Sequence, residues 1–431
     1  MKETKDVTAC VVDHGLFVPV ARRLARSFKK VYYFTPWEKS FPTVWDLIGD
    51  GFEDIRRIND PWEVKESCDL YVFPDIGFAP LQRQLLEQGY PVWGARGGDI
   101  LEISRGKFLQ ALEEETNLPV PTFHKIVGLT NLCVFLRDKE DLWIKVSRYR
   151  GDWETVHWIS WEEGESVLDS YAVRFGPLKE LINFYVFDPI ETKIEDGCDS
   201  YFVAGKWPSL VVHGVECKDK SFIGAFQKFE ELPEELRIVN EQIGPVLSSF
   251  GYTGFFSTEV RITEDGESYF IDPTCRCGSP PSQCQTEMIG NFAEIVWHGA
   301  NGECIDPEPV KQFGAQAIVK IDFEPNEWTT IKIKEELDQW FKPGNVCKVN
   351  DRICFCPDTE HVAWLVGLGN TIEEAVSDLK AKAEELPDSA RCDYSSLADV
   401  IKEIHTAEKH GVEFSDKPTP EPEIVLEDHN E

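Results

Sequence analysis

Residues 254–283 read GFFSTEVRITEDGESYFIDPTCRCGSPPSQ, and this stretch constrains the chain more than any other. Two short β-like runs flank Glu264-Asp265-Gly266, and an Asp-Gly pair between alternating apolar residues is a hairpin signal. Each run carries one acid on its course, Glu259 and Asp272, and Arg276 follows four residues after the second. Two carboxylates on adjacent strands suit a Mg²⁺–triphosphate site, because magnesium takes one or two carboxylates and completes its octahedron with phosphate oxygens and water. An arginine beside them can hold phosphate or an acyl-phosphate through paired donors. The chemistry expected is consumption of ATP without a Walker-type loop. The competing reading is an amphipathic surface hairpin whose acids are merely solvated.

The rest of the chain narrows the choice. At 431 residues it should hold two to four domains. Strand-like runs at 7–12, 30–34, 68–73 and 91–94 alternate with helical segments at 18–27 and 81–88. That alternation predicts an α/β fold class for residues 1–100, with a parallel sheet. No G-x-G-x-x-G follows the first strand, so a dinucleotide fingerprint is not expected. His14 and Asp75 follow the first and third strands, where α/β sheets place ligands. A helix is expected over 99–118, carrying Arg105 and Lys107 and closed by Pro119 and Pro121. Strands follow at 124–127, 133–136, 142–146 and 155–159, then a helical stretch at 165–182. Further strands are expected at 183–187, 198–204 and 209–216, and helices at 233–249 and 286–300. The last unit has strands at 315–321, 345–349, 352–356 and 363–369 and a helix at 371–385. Residues 415–431, rich in Pro, Glu and Asp, are expected to be a disordered tail.

Composition excludes several function classes. With 77 acidic and 44 basic residues the formal charge is −33, which repels duplex nucleic acid and anionic membrane. No stretch approaches the roughly 20 apolar residues that span a bilayer, and the charged start of the chain does not read as a signal peptide. Thirteen cysteines, an odd number spread through apparent strands, suit reduced thiols in a cytoplasmic setting. Cys275, Cys277 and Cys284 lack the paired C-x2-C spacing of a zinc site.

The order of these features resembles the ATP-grasp superfamily: an α/β domain, a helix with a lysine, a strand ending in Lys145, a hinge strand with acids, then paired acids on a hairpin. Within it the motifs are similar to the phosphoribosylamine–glycine ligase family. That family's late motif places an acid, an arginine, a glycine, a proline and a glutamine in register with Asp272, Arg276, Gly278, Pro280 and Gln283. Residues 363–386, AWLVGLGNTIEEAVSDLKAKAEEL, look like its C-terminal module. The resemblance implies an N-terminal α/β domain over 1–100 and an ATP-grasp domain over 101–310. The latter would have a small lid lobe at about 122–185 and a hinge at about 186–200. A C-terminal module over 311–390 and a helix before the acidic tail at 391–431 would complete the chain. It implies ATP and Mg²⁺ (or Mn²⁺), small-molecule carboxylate and amine substrates, and allows a homodimer.

Residue by residue, the resemblance implies that Lys107 and Lys145 contact ATP phosphates. Glu195 would bind the ribose hydroxyls, with Asp188 and Glu191 as competitors. Either Lys218 or Lys220 would stand near the phosphates. Glu259, Asp272 and Thr274 would hold the metal, and Arg276 would steady the acyl-phosphate. His14, Asp75, Gly278 and Gln283 become substrate contacts. The departures matter as much. The glycine-rich lid is reduced to Ser147-Arg148-Tyr149-Arg150-Gly151-Asp152-Trp153, so Arg148 and Arg150 would replace by side chain what backbone N–H groups usually supply. Glycine or another small amino acid is the expected carboxylate. The alternatives are a non-catalytic ATP-binding regulator or scaffold, and an amino-acid ligase tailoring a modified nucleotide.

Overall fold

The computed structural model describes residues 1–36, 44–147, 153–322, 327–357 and 363–414. The N-terminal strands, Arg56–Arg57, Lys30–Phe34, Thr8–Val12, Leu70–Val72 and Val92–Trp93, form a five-stranded sheet in that spatial order, parallel throughout. Thr8–Val12 is buried along its whole length, as an inner strand covered on both faces should be. Asp13 closes its carboxyl end by accepting from the N–H groups of Gly15 (3.0 Å) and Phe17 (2.6 Å). His14 is thereby left exposed at the sheet's rim, stacked on Phe78 with ring centroids 4.5 Å apart.

A nine-stranded sheet forms the centre. Its order runs Ser268–Thr274, Thr253–Thr263, Thr192–Val203, Leu210–Cys217, Ser221–Lys228, Phe313–Ile321, Ala363–Gly369 and Phe341–Pro343, with Ala390–Cys392 also on Phe313–Ile321. An isolated bridge between Gly94 and Thr253 ties the parallel sheet to the acid hairpin. One row of paired residues crosses six strands: Gly314, Gly224, Gly214, Gly197, Glu259 and Asp272. The glycines leave room for packing partners. A methyl group on Gly214 would stand 2.3 Å from the Phe222 ring, and one on Gly314 would stand 2.4 Å from Cys284 Sγ.

A smaller antiparallel sheet carries Phe123–Val127, Asn183–Phe187, Leu142–Val146 and Thr155–Trp158 in that order. Residues 133–136, expected as a strand, instead end the helix Leu129–Leu136. Leu129, Leu132 and Leu136 recur at helical spacing and are buried together in this lobe's core, so tertiary burial overrides the local β preference of Cys133, Val134 and Phe135. The segment expected as a strand from 198 begins earlier, as a continuous strand Thr192–Val203. Beyond the central sheet, Thr329–Ile331, Arg352–Phe355 and Val346–Val349 make a three-stranded sheet. Helix Leu397–Lys409 lies against Leu210–Cys217 and Ser221–Lys228. The expected tail at 415–431 lies outside the described residues.

Candidate active site

Glu259 and Asp272 are direct partners across the hairpin. A β-bulge makes them so. Val260 pairs with Phe270, but Glu259 pairs with Asp272, leaving Ile271 as the extra residue. In an unbulged register Asp272 would oppose Thr258 on the other face of the sheet, because a one-residue slip inverts every side chain. The bulge therefore brings both carboxylates to one face, where they line a cavity of about 1230 Å³.

Two cations from two other elements reach Asp272. Lys145, on the small sheet, bonds Oδ2, and Arg105, at the start of helix Arg105–Glu115, bonds Oδ1. Arg105 also donates to the Ile271 carbonyl at 2.8 Å, so it grips the bulge itself. Burial alone would raise Asp272, but the Arg105 and Lys145 charges outweigh it and hold the carboxyl well below its ordinary range. Glu259 goes the other way: burial first, then the Asp272 charge, push it well above the usual carboxylate value. Lys145 is pulled down by burial and by Arg105, against the attraction of Asp272.

Lys107 takes no part in this cluster. It is exposed and bonds Gln110 on its own helix at 3.0 Å. Arg105 and Lys107 are two residues apart, about 200° around a helix, so only one of them can face the hairpin. The sequence reading gave the phosphate role to Lys107 and none to Arg105. The signal that separates them is Phe108, buried against Phe270, which fixes the helix's rotation and lies 5.4 Å from the Arg105 guanidinium.

Arg276 is held from the N-terminal side. Its Nε donates to Glu102 at 3.0 Å and stands 3.9 Å from Asp75, and a guanidinium N–H donates to the Cys277 carbonyl at 2.9 Å. Glu102, absent from the sequence-based candidates, also accepts from the Cys275 N–H at 2.7 Å. Burial lowers Arg276, yet the charges of Glu102 and Asp75 leave its affinity for the proton raised.

The remaining candidates divide. His14, Asp75, Glu195, Lys218, Thr274 and Gly278 line the same cavity as the acid pair. Glu195 is exposed there and accepts from Arg261 at 3.0 Å. Lys220 is exposed and lies beyond the cavity lining; its carbonyl accepts from Ile318 at 2.8 Å. Asp188 is exposed just past the strand Asn183–Phe187 and also lies off the lining. Gln283 is buried beneath the Gly278–Pro281 loop, joined to Ser279 Oγ (3.1 Å) and to Gln316 (3.0 Å), where it supports the cavity wall without reaching it. Arg148 and Arg150 lie outside the described residues.

No protein-family model matches this sequence, and no curated protein matches it. Solved structures do. Phosphoribosylamine–glycine ligase from Thermotoga maritima is 14% identical with a TM-score of 0.68, over 90% of this chain and 99% of that one. The biotin carboxylase domain of 2-oxoglutarate carboxylase from Hydrogenobacter thermophilus, solved with MgADP, is 12% identical with a TM-score of 0.63, over 95% and 99%. An L-amino acid ligase from Bacillus licheniformis is 18% identical with a TM-score of 0.55, over 89% and 98%. The chain has the ATP-grasp fold.

Proposed function

We propose that this chain is an ATP-dependent carboxylate–amine ligase, forming an amide through an acyl-phosphate. The observation that carries the reading is the Glu259–Asp272 pair on one cavity face, with Lys145 of the small lobe and Arg105 converging on it. The donor set fits magnesium. Among the described residues no group of three or more metal-ligating side chains assembles, and Mg²⁺ needs only one or two carboxylates when phosphate oxygens and water complete its shell. Bound Mg²⁺ with ATP would supply charge neutralisation at the phosphates and the phosphoryl group that activates a carboxylate.

The chain's own residues would do the positioning. Glu259 and Asp272 would hold the metal, with Thr274 alongside. Lys145 and Arg105, now on Asp272, are the cations available to phosphate oxygens from the small lobe and the leading helix. Arg276, fixed by Glu102 and Asp75, would face the acyl-phosphate and leave less of the work to rearrangement during the reaction. The amine would enter from the His14–Asp75 side. Glycine or another small amino acid is the proposed carboxylate. Among the described residues no cysteine is joined in a disulfide and no helix is long and apolar enough to cross a membrane; a cytoplasmic location is proposed, and a homodimer is compatible with a site built within one chain.

The test is phosphate release from purified protein with ATP, Mg²⁺ and a panel of amino acids and amines. Release that requires both a carboxylate and an amine is expected. Nucleotide binding with no release for any pair would overturn the ligase reading.

A further inference from the structure

Both oxygens of Asp272 are engaged by cations, Oδ1 by Arg105 and Oδ2 by Lys145. Neither contact is a loose surface pair: the Arg105 and Lys145 side chains are 13% and 11% exposed. Arg105 is fixed a second time, through the Ile271 carbonyl at 2.8 Å. Lys145 belongs to the small sheet, where its strand partners are Thr155 and Tyr185. A fitted contact seats that sheet against the helix Arg105–Glu115: Gly106 has no side chain, and a methyl group there would stand 2.3 Å from the Tyr185 hydroxyl. Gly106 thus lets the strand partner of Lys145 close on the helix that carries Arg105. The two cations meet on one carboxylate from different lobes.

The clasp has a consequence for a metal ion. Glu259 and Asp272 offer at most two negative charges, and Arg105 and Lys145 answer them with two positive ones. A divalent cation entering that balance alone would face both basic groups at short range, with both largely shielded from water, so the repulsion is poorly screened. Phosphate oxygens change the sum. They accept from a guanidinium or an ammonium as a carboxylate does, and they bring negative charge of their own. Once Arg105 and Lys145 turn to phosphate, the Asp272 oxygens are released to a metal.

We propose that Arg105 and Lys145 lock Asp272 against free divalent cations, so that a metal is admitted only together with the polyphosphate of a nucleotide. This rests on the ligase reading for the identity of the site and adds an order of entry to it. The coupling is reciprocal: whatever factor the nucleotide adds to the affinity for metal, the metal adds to the affinity for nucleotide.

The experiment measures binding, so it does not depend on turnover. Full-length protein is titrated calorimetrically with MnCl2 alone and, separately, with ADP. The native chain should show no saturable Mn²⁺ site tighter than about 0.1 mM. Lys145→Met and Arg105→Met should each bind Mn²⁺ alone about tenfold or more tightly than the native chain, the scale of one charge-assisted hydrogen bond. The same variants should bind ADP more weakly, so the two affinities move in opposite directions, which a loss of packing would not produce. The gain in Lys145→Met should vanish in Lys145→Met/Asp272→Asn. Lys107→Met removes an equal charge from the same helix and should leave Mn²⁺ affinity within about twofold. Urea curves establish which variants are folded; one folded variant carries the test, and the native chain alone carries it if neither is. Mn²⁺ binding by the native chain tighter than that limit, no gain in the folded variants, or an equal gain in Lys107→Met would overturn the proposal. Absence of phosphate release for any substrate pair would sink the ligase reading and leave this one standing. Phosphate release from a native chain that binds Mn²⁺ tightly by itself would do the reverse.

Discussion

Glu259 and Asp272 stand opposite one another across two strands, yet among the described residues only Asp272 is clasped by cations. Their environments push the two carboxyls in opposite directions, Asp272 down and Glu259 up. Removing both charges by Glu259→Gln with Asp272→Asn should lower Mg²⁺-dependent ATP turnover by about a hundredfold or more, the scale of losing a charge-stabilising group at a phosphoryl-transfer site. Initial rates over a magnesium titration check this. Turnover retained in the double variant counts against the metal assignment.

Arg105 and Lys107 make a matched pair of tests. Arg105→Ala removes a clasp on Asp272 and on the bulge, whereas Lys107→Ala removes an exposed side chain that among the described residues bonds only its own helix. ATP affinity, followed by calorimetry, should fall by about tenfold in the first, as for one charged hydrogen bond, and stay within about twofold in the second. The reverse order would restore Lys107 to the site.

Glu287 is the meeting point of Lys342 and Arg26, and ties helix Ser282–Met288 to the C-terminal strand Phe341–Pro343 and to the residue after helix Val18–Ala25. Both Glu287 and Lys342 are buried. Glu287→Gln would leave a lysine charge buried without its carboxylate and should cost about 3–5 kcal/mol. Urea unfolding reads it. A loss under about 1 kcal/mol, the worth of an exposed pair, would show that the pair is not buried in solution.

His213 offers a pH test on the sheet face opposite the acid pair. Both ring nitrogens face oxygen acceptors, Asp196 at 2.6 Å and Gln227 at 2.8 Å, so the ring is held as imidazolium. Burial lowers its proton affinity, but Asp196 outweighs burial and raises the folded-state value above 6.5. The stabilisation is then fully present below the unfolded value and fades as pH rises through the folded one. Asp199, pushed up to about 7, changes stability in the same sense at lower pH. Urea midpoints should fall more steeply above pH 6.5 in the native chain than in His213→Gln. Parallel slopes would mean that the ring is neutral.

Local chemistry in the sequence was enough to place the hairpin, its acids, the parallel sheet and Lys145, because alternation, turn residues and strand-end charges are short-range signals. Three features were out of reach for a physical reason each. The bulge at Ile271 depends on pairing between strands, so the alternation of either strand alone does not reveal it. The choice of Arg105 over Lys107 depends on how a helix is rotated by Phe108 against Phe270. Glu102, like Arg105, acts on a segment about 170 residues further along the chain, and no local pattern encodes such a partnership. Cys133–Leu136 misled because its residues favour strands while the lobe's core demanded a leucine stripe.

The glycine row has a consequence for how this protein tolerates change. Gly197, Gly214, Gly224 and Gly314 are scattered along the chain but adjoin across the sheet, and three of them would drive a new methyl group into a neighbour at under 3 Å. A saturation library read by abundance should therefore show a furrow of intolerance at right angles to the strands, ending at the two acids.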